Sequence, residues 1–239
     1  MQKHYSLLND PLFYGMLAFF ALLTTGSAAA LGQPRFLPIS QTAALFAFLT
    51  VAMRRQTVRA ALLVLAIWLV TQVAALILVT RVAPGQVEQA IGDGFTYRTS
   101  FIAWFYGAGA LPASLGVQPG SRILELIGVS LGSLLTGGLV GVWSLVRAAN
   151  LAAYGAGVLW QDSGHTISLV AGLPIWTLLR LAGYAGLVVL LAAPLFSGNW
   201  SPRYYLTHHR RLLVVSTALL LLGLLLEFTL PGAWRALFT

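Results

Sequence analysis

Apolar residues fall in long blocks along this chain, with neither the two-residue alternation of a half-buried strand nor the narrow stripe of a surface helix. The clearest blocks run over 12–32, 37–53, 60–80, 99–118, 123–146, 181–197 and 212–230. Each approaches the roughly 20 residues that cross the hydrocarbon core of a bilayer as a helix. In lipid every backbone N–H and C=O must find its partner within the segment, which favours helices. The pattern therefore predicts an all-α, polytopic transmembrane bundle with six to eight hydrophobic segments. The exception is 147–180: RAANLAAYGAGVLW is too short to span, QDSGHT is polar, and ISLVAGLPIWTLLR is interrupted by Pro174 and closed by Arg180. Short apolar pieces broken by Gly and Pro predict half-helices or a re-entrant pair, with one tilted span plus an interfacial helix as the alternative. No soluble domain fits between the blocks. The whole of 1–239 is expected to form a single integral membrane domain, with a three-span part over 1–98 and a second part over 99–239.

Composition sharpens this. Only 8% of residues are charged and 58% are apolar, against about 25% charged in a soluble domain. The net charge of +8 would suggest nucleic acid in a soluble protein, but the basic residues sit at the ends of apolar blocks, as topology signals do. No nucleic-acid partner is expected; the bilayer is, together with other membrane protein subunits. The start MQKHYSLLNDP leads into a block longer than a signal-peptide core, so the first span is expected to be retained. With the N-terminus inside, Lys3, Arg54, Arg55, Arg59, Arg122, Arg203, Arg210 and Arg211 fall on the cytoplasmic side. Arg35, Arg81, Arg98, Arg147 and Arg235 fall outside. That excess predicts a cytoplasmic N-terminus, and the polytopic helical pattern is expected to belong to a cytoplasmic (inner) membrane protein. Arg54, Arg55, Arg59, Arg203, Arg210 and Arg211 are the expected topology or headgroup anchors. In the loop 82–98, EQAIGDG predicts one interfacial turn.

Small residues recur at helical spacing. Gly128, Gly132 and Thr136, and then Gly137 and Gly141, stand four apart, the spacing that lets helix backbones approach in lipid. Packing is the expected role of this ridge.

One string invites a chemical reading. Ser163, Gly164, His165 and Thr166 resemble the PSGH element of phosphatidic acid phosphatase-type enzymes, and Arg203 followed six positions later by His209 partly resembles their SR-x5-H-x3-D element. The resemblance implies a His nucleophile and a His acid on a phosphate held by cations. Here Asp162 replaces the Pro, Leu213 stands where the orienting Asp falls, and no K-x6-RP exists upstream. A doubly charged phosphate needs its cationic clamp, so SGHT is expected to be a turn and a helix start. No His pair at helical spacing lies within a block, and His208 and His209 are adjacent and point apart on a helix. Cysteine is absent, and the only lysine, Lys3, lies outside the apolar blocks. No catalytic, metal or cofactor residue is nominated, and no cofactor is expected.

Charges inside apolar sequence are the remaining candidates: Glu125, Arg147, Arg180 and Glu227, with Asn150 beside them. Ionisable groups at membrane depth face partners or water. Glu125 and Glu227 lie close to block ends, but Arg180 is flanked by apolar residues on both sides. Unpaired there, it would cost about 2.5–3.5 kcal/mol on insertion scales. It is therefore expected to face the bundle interior and meet an acid, with Glu125 and Glu227 the leading partners and Asp162 a third if 147–180 re-enters. Pro174 is expected to free a carbonyl near the same level.

From about residue 120 the order of features resembles the stage II sporulation protein M family of multi-pass membrane proteins. Asn150 opens NLAAYGAGVL, Pro174 opens PIWTLLRLAGYAG, and the last block ends LLLEFTLPG with Glu227, Phe228 and Pro231. Arg180 stands where that family commonly has an acid, and the Glu-to-Pro spacing is one residue shorter. The resemblance implies a non-enzymatic membrane subunit or scaffold of an envelope or transport complex. A permease or transporter subunit is the alternative, and a degenerate lipid phosphatase using His165, Arg203 and His209 a further one.

Overall fold

The computed structural model describes residues 7–55, 57–201, 203 and 207–238. Among them all regular structure is helical. The first three long helices are α1 (Pro11–Leu31), α2 (Phe36–Arg54) and α3 (Val58–Val82). Asp10 caps α1, its carboxylate accepting from the Leu12 and Phe13 amides at 3.0 and 3.2 Å, and Pro11 supplies a first residue that needs no donor. Two short helices follow, α4 (Pro84–Ala90) and α5 (Gly94–Phe105). After a loop, α6 (Pro119–Ile127) passes through a π-turn at Gly128–Gly132 into α7 (Ser133–Thr136). The chain then reverses into α8 (Leu139–Ser163). A short α9 (Ile167–Gly172), the long α10 (Ile175–Ser197) and α11 (Arg210–Thr229), and a terminal α12 (Pro231–Ala236) complete the fold.

Five helices, α1, α2, α3, α10 and α11, are long and apolar enough to cross a membrane. The central α8 equals α3 in length at 25 residues, but it carries Arg147 and Asn150 and turns most of its length inward. Two expected spans are corrected. The 99–118 block is helical only to Phe105 and continues as a loop. The 123–146 block is cut at Gly137 and Gly138, whose φ of +63° and +96° are left-handed values that glycine reaches without strain. The break expected in 147–180 is narrower than 147–180 itself: α8 runs unbroken to Ser163, and the interruption spans Gly164 to Pro174. Pro174 begins α10 with φ −63° and ψ 148° and does not kink a continuous helix.

Side-chain contacts fix the register. Gln72 of α3 donates to the Val146 carbonyl and Arg81 to the Trp160 carbonyl, at 3.2 and 3.1 Å, so α3 and α8 run parallel. A Cβ on Gly128 or Gly132 would collide with the side chains of Ser144 or Val140, so α6–α7 folds back antiparallel along the first half of α8 and the small-residue ridge serves close packing. Gly138 lies against Ala192, Val188 and Leu49. One end of the bundle therefore gathers the α2–α3 turn, the α7–α8 turn and the α10–α11 connection. The opposite end carries α4, α5, α9, α12 and the C-terminal ends of α3 and α8. One buried core joins Leu17, Leu45, Trp68, Leu145, Val188 and Leu220, running through both the 1–98 and 99–239 parts.

Candidate functional site

The most concentrated chemistry in the described residues is a buried ion network. Gly223 is the residue that permits it. A Cβ there would stand 2.9 Å from the Trp176 carbonyl oxygen and 3.1 Å from the Arg180 amide nitrogen, both backbone atoms that cannot swing away. Gly183 repeats the fit against the Ser216 carbonyl at 2.8 Å. With α10 and α11 seated so closely, Glu227, one turn beyond Gly223, lies against Arg180. The Arg180 Nη1 donates to Glu227 Oε2. The other oxygen, Oε1, accepts from Arg122 Nε at 3.3 Å and from the Leu115 amide at 3.0 Å. Arg122 Nη1 in turn meets Glu125 Oε2 at 2.8 Å, one helical step along α6, and the Tyr184 hydroxyl donates to the same oxygen at 3.3 Å.

Arg122, Arg180 and Glu227 are 5%, 3% and 3% exposed. Two guanidiniums face two carboxylates, so the network is neutral as a unit. A cavity of about 30 Å³ beside it is lined by Arg122, Arg180, Tyr97, Ala148, Leu151 and Ala152, large enough for a water molecule. Its α8 lining lies nine to thirteen residues into the 25-residue helix, so the ions sit near its middle, at least about 14 Å from either end. An open cleft of about 470 Å³ between the 109–117 loop and 227–235 includes Glu227, Trp104 and Arg235 in its walls.

A second polar cluster lies on another face of α8. Trp68 Nε1 donates to Gln72 Oε1, Gln72 Nε2 to Asn150 Oδ1, Asn150 Nδ2 to Gln41 Oε1, and Gln41 Nε2 to Thr25 Oγ1, all at 2.7–2.8 Å. This amide ladder ties α1, α2, α3 and α8 together without a charge.

The structure thus gathers Arg180, Glu125 and Glu227 into one cluster and places Asn150 in the other. Arg147 belongs to neither: it is exposed on α8 and lies within that helix, a correction both to its expected burial and to its expected place among the outside flanking charges. Arg122, read from sequence as a cytoplasmic flanking charge, is inside the network. Arg54, Arg55, Arg59, Arg203, Arg210 and Arg211 are all exposed and gather at the end of the bundle that holds the α2–α3 turn. Lys3 lies outside the described residues. His165 is exposed in the turn after α8, whereas Arg203 and His209 adjoin the start of α11 at the other end of the bundle, roughly the 37 Å length of α8 away. The two halves of the phosphatase-like pattern do not meet. Asp162 accepts from the Tyr106 hydroxyl at 2.9 Å at the end of α8, a bond that raises the Tyr106 pKa, and it does not pair with Arg180. Gln41, Gln72, Thr25 and Tyr184 were missed by sequence reasoning; the usable signal was a glutamine inside each of the 37–53 and 60–80 blocks.

Compared with known proteins, the chain matches no family model, and no curated protein or solved structure is similar to it.

Proposed function

We propose that this protein is a non-enzymatic integral membrane subunit, a helical scaffold that assembles with other membrane proteins of an envelope or transport complex. The observation that carries the reading is the internal pairing of the buried ion network, in which only the Arg180 Nε lacks a partner among the described residues. Both Glu227 oxygens, both carboxylates and both arginines are engaged within the chain, which suits a lock between helices better than a group held ready for substrate. The likeness to stage II sporulation protein M proteins in the order of Asn150, Pro174 and Glu227 points the same way. In this reading the bundle lies in the cytoplasmic membrane with the six arginines of the α2–α3 turn end inward, and α8 with the α5–α7 arm supplies the sixth and seventh hydrophobic segments. The test is the mass of the protein extracted from its native membrane in mild detergent. A complex with another membrane protein at fixed stoichiometry supports the subunit reading, and a bare monomer contradicts it.

A permease is the second reading, favoured by the cleft that reaches Glu227 and by helices that begin or break at mid-depth, as in many transporters. Solute flux into vesicles holding the purified chain alone would move the assignment to it.

A further inference from the structure

We propose that Arg147 is the docking point for a membrane helix of a different protein, one that carries an Asp or Glu near its midpoint. The inference rests on the subunit reading and names the chemistry of the partner. Arg147 is exposed, and among the described residues it makes no hydrogen bond or ion pair. Its level in the bundle follows from the neighbouring Val146 carbonyl, which accepts from Gln72 of α3. Gln72 stands fourteen residues from the start of α3 and ten from its end, about 21 Å and about 15 Å of helix. An arginine side chain reaches roughly 7 Å from its Cα through six bonds, the last two in the planar guanidinium. Arg147 also stands eight residues, about 12 Å, from the start of its own helix, so a side chain of that reach ends beside apolar helix and short of the ends of both α3 and α8.

The surrounding surface is apolar. Val140 is 38% exposed on the same helix, and on the arm that packs antiparallel to it Leu124, Ile127 and Leu131 are 69%, 46% and 56% exposed. A lone cation in such a setting calls for a carboxylate delivered at the same depth.

A second copy of this chain does not supply one, because its acids are committed or at the wrong level. Asp10 caps α1, Glu88 pairs with Arg98 at 3.1 Å, and Asp93 sits in the α4–α5 turn. Asp162 holds Tyr106 at the end of α8, and Glu125 and Glu227 serve the ion network. Charge complementarity therefore selects a heterologous acidic helix.

The experiment uses the purified full chain in phosphatidylcholine vesicles with fluorescent Leu/Ala-rich transmembrane peptides that carry Glu, Leu or Lys at the centre, and reads association by energy transfer. The Glu peptide is expected to associate about tenfold more tightly than the Leu peptide. Arg147→Leu abolishes that preference, and Arg147→Glu transfers it to the Lys peptide. Arg147→Leu removes a charge from an apolar face, so its thermal unfolding is expected to be no lower than that of the parent, which keeps the comparison valid. Equal binding of the Glu peptide by parent and Arg147→Leu overturns the proposal. So does loss of self-association in Arg147→Leu, which would make a second copy the occupant. Loss of phosphatidylglycerol retention in mixed vesicles as the sole effect would make the occupant a lipid and overturns the proposal equally. If a stoichiometric partner co-purifies but the peptide preference is absent, this proposal falls and the subunit reading stands.

Discussion

On one face of α8, Asn150 joins a run of neutral amides; elsewhere on the same helix, Ala148 and Ala152 line the small cavity beside Arg122 and Arg180. Both clusters lie near mid-depth, and both connect helices distant in sequence, but they close differently. In the ladder from Trp68 to Thr25 each group donates to the next, so losing one member removes two or three hydrogen bonds at most and exposes no net charge. In the ion network Glu227 is shared by Arg180, Arg122 and the Leu115 amide, so its loss leaves two guanidiniums with one carboxylate. Removing one partner of a buried pair is far more costly than removing a neutral hydrogen bond. The ladder should thus behave as a set of replaceable links and the ion network as a unit.

Changes at Glu227 should have the largest effect. Glu227→Gln keeps the shape and removes the shared charge, and a loss of about 3–5 kcal/mol in thermal or denaturant unfolding of the detergent-solubilised protein is expected. A loss below that of the ladder variant would erase the contrast. Next comes the seam that brings the ions together. Gly223→Val places carbon against the Trp176 and Arg180 backbone, and an overpacking loss of roughly 1–3 kcal/mol should appear with no change in charge. The ladder should yield least: Asn150→Leu breaks the links to Gln41 and Gln72 but leaves Gln72 bonded to the Val146 carbonyl and Trp68. A loss of about 1 kcal/mol is expected in the same assay, and a collapse of the fold would show that the ladder, too, acts as a unit.

The same contrast explains what was legible in the sequence. Arg180 stood out because apolar residues flank it on both sides, and the few acids in the chain narrowed its partners to a short set that contained Glu227. Arg122 did not stand out, because it follows a Pro-Gly loop and resembles an ordinary flanking charge. Its burial arises because α6 begins at mid-depth, after a loop that descends from Phe105, and nothing in hydropathy distinguishes a loop buried in protein from a helix facing lipid. That same blindness turned 99–118 and 123–146 into spans. The adjacent glycines 137 and 138 carried the missing information: besides packing closely, they are the doublet that lets a chain reverse. The neutral ladder was nearly silent, since isolated glutamines in apolar blocks carry no charge to balance and name no partner. Arg147 shows the limit from the other side, since a charge within an apolar block can face inward or outward and only the helix register decides.

The most direct measurement of the central claim, that Arg180 and Glu227 lock α10 and α11 as an ion pair, is a double-mutant cycle on unfolding in detergent. Arg180→Leu and Glu227→Leu should each destabilise by several kcal/mol, because each leaves its partner buried and charged. The double variant should recover at least about 1.5 kcal/mol of the summed loss, and Arg180→Lys should rescue only part, since a point charge cannot reproduce the forked donors. Strictly additive losses, or an Arg180→Leu protein as stable as the parent, would contradict the account.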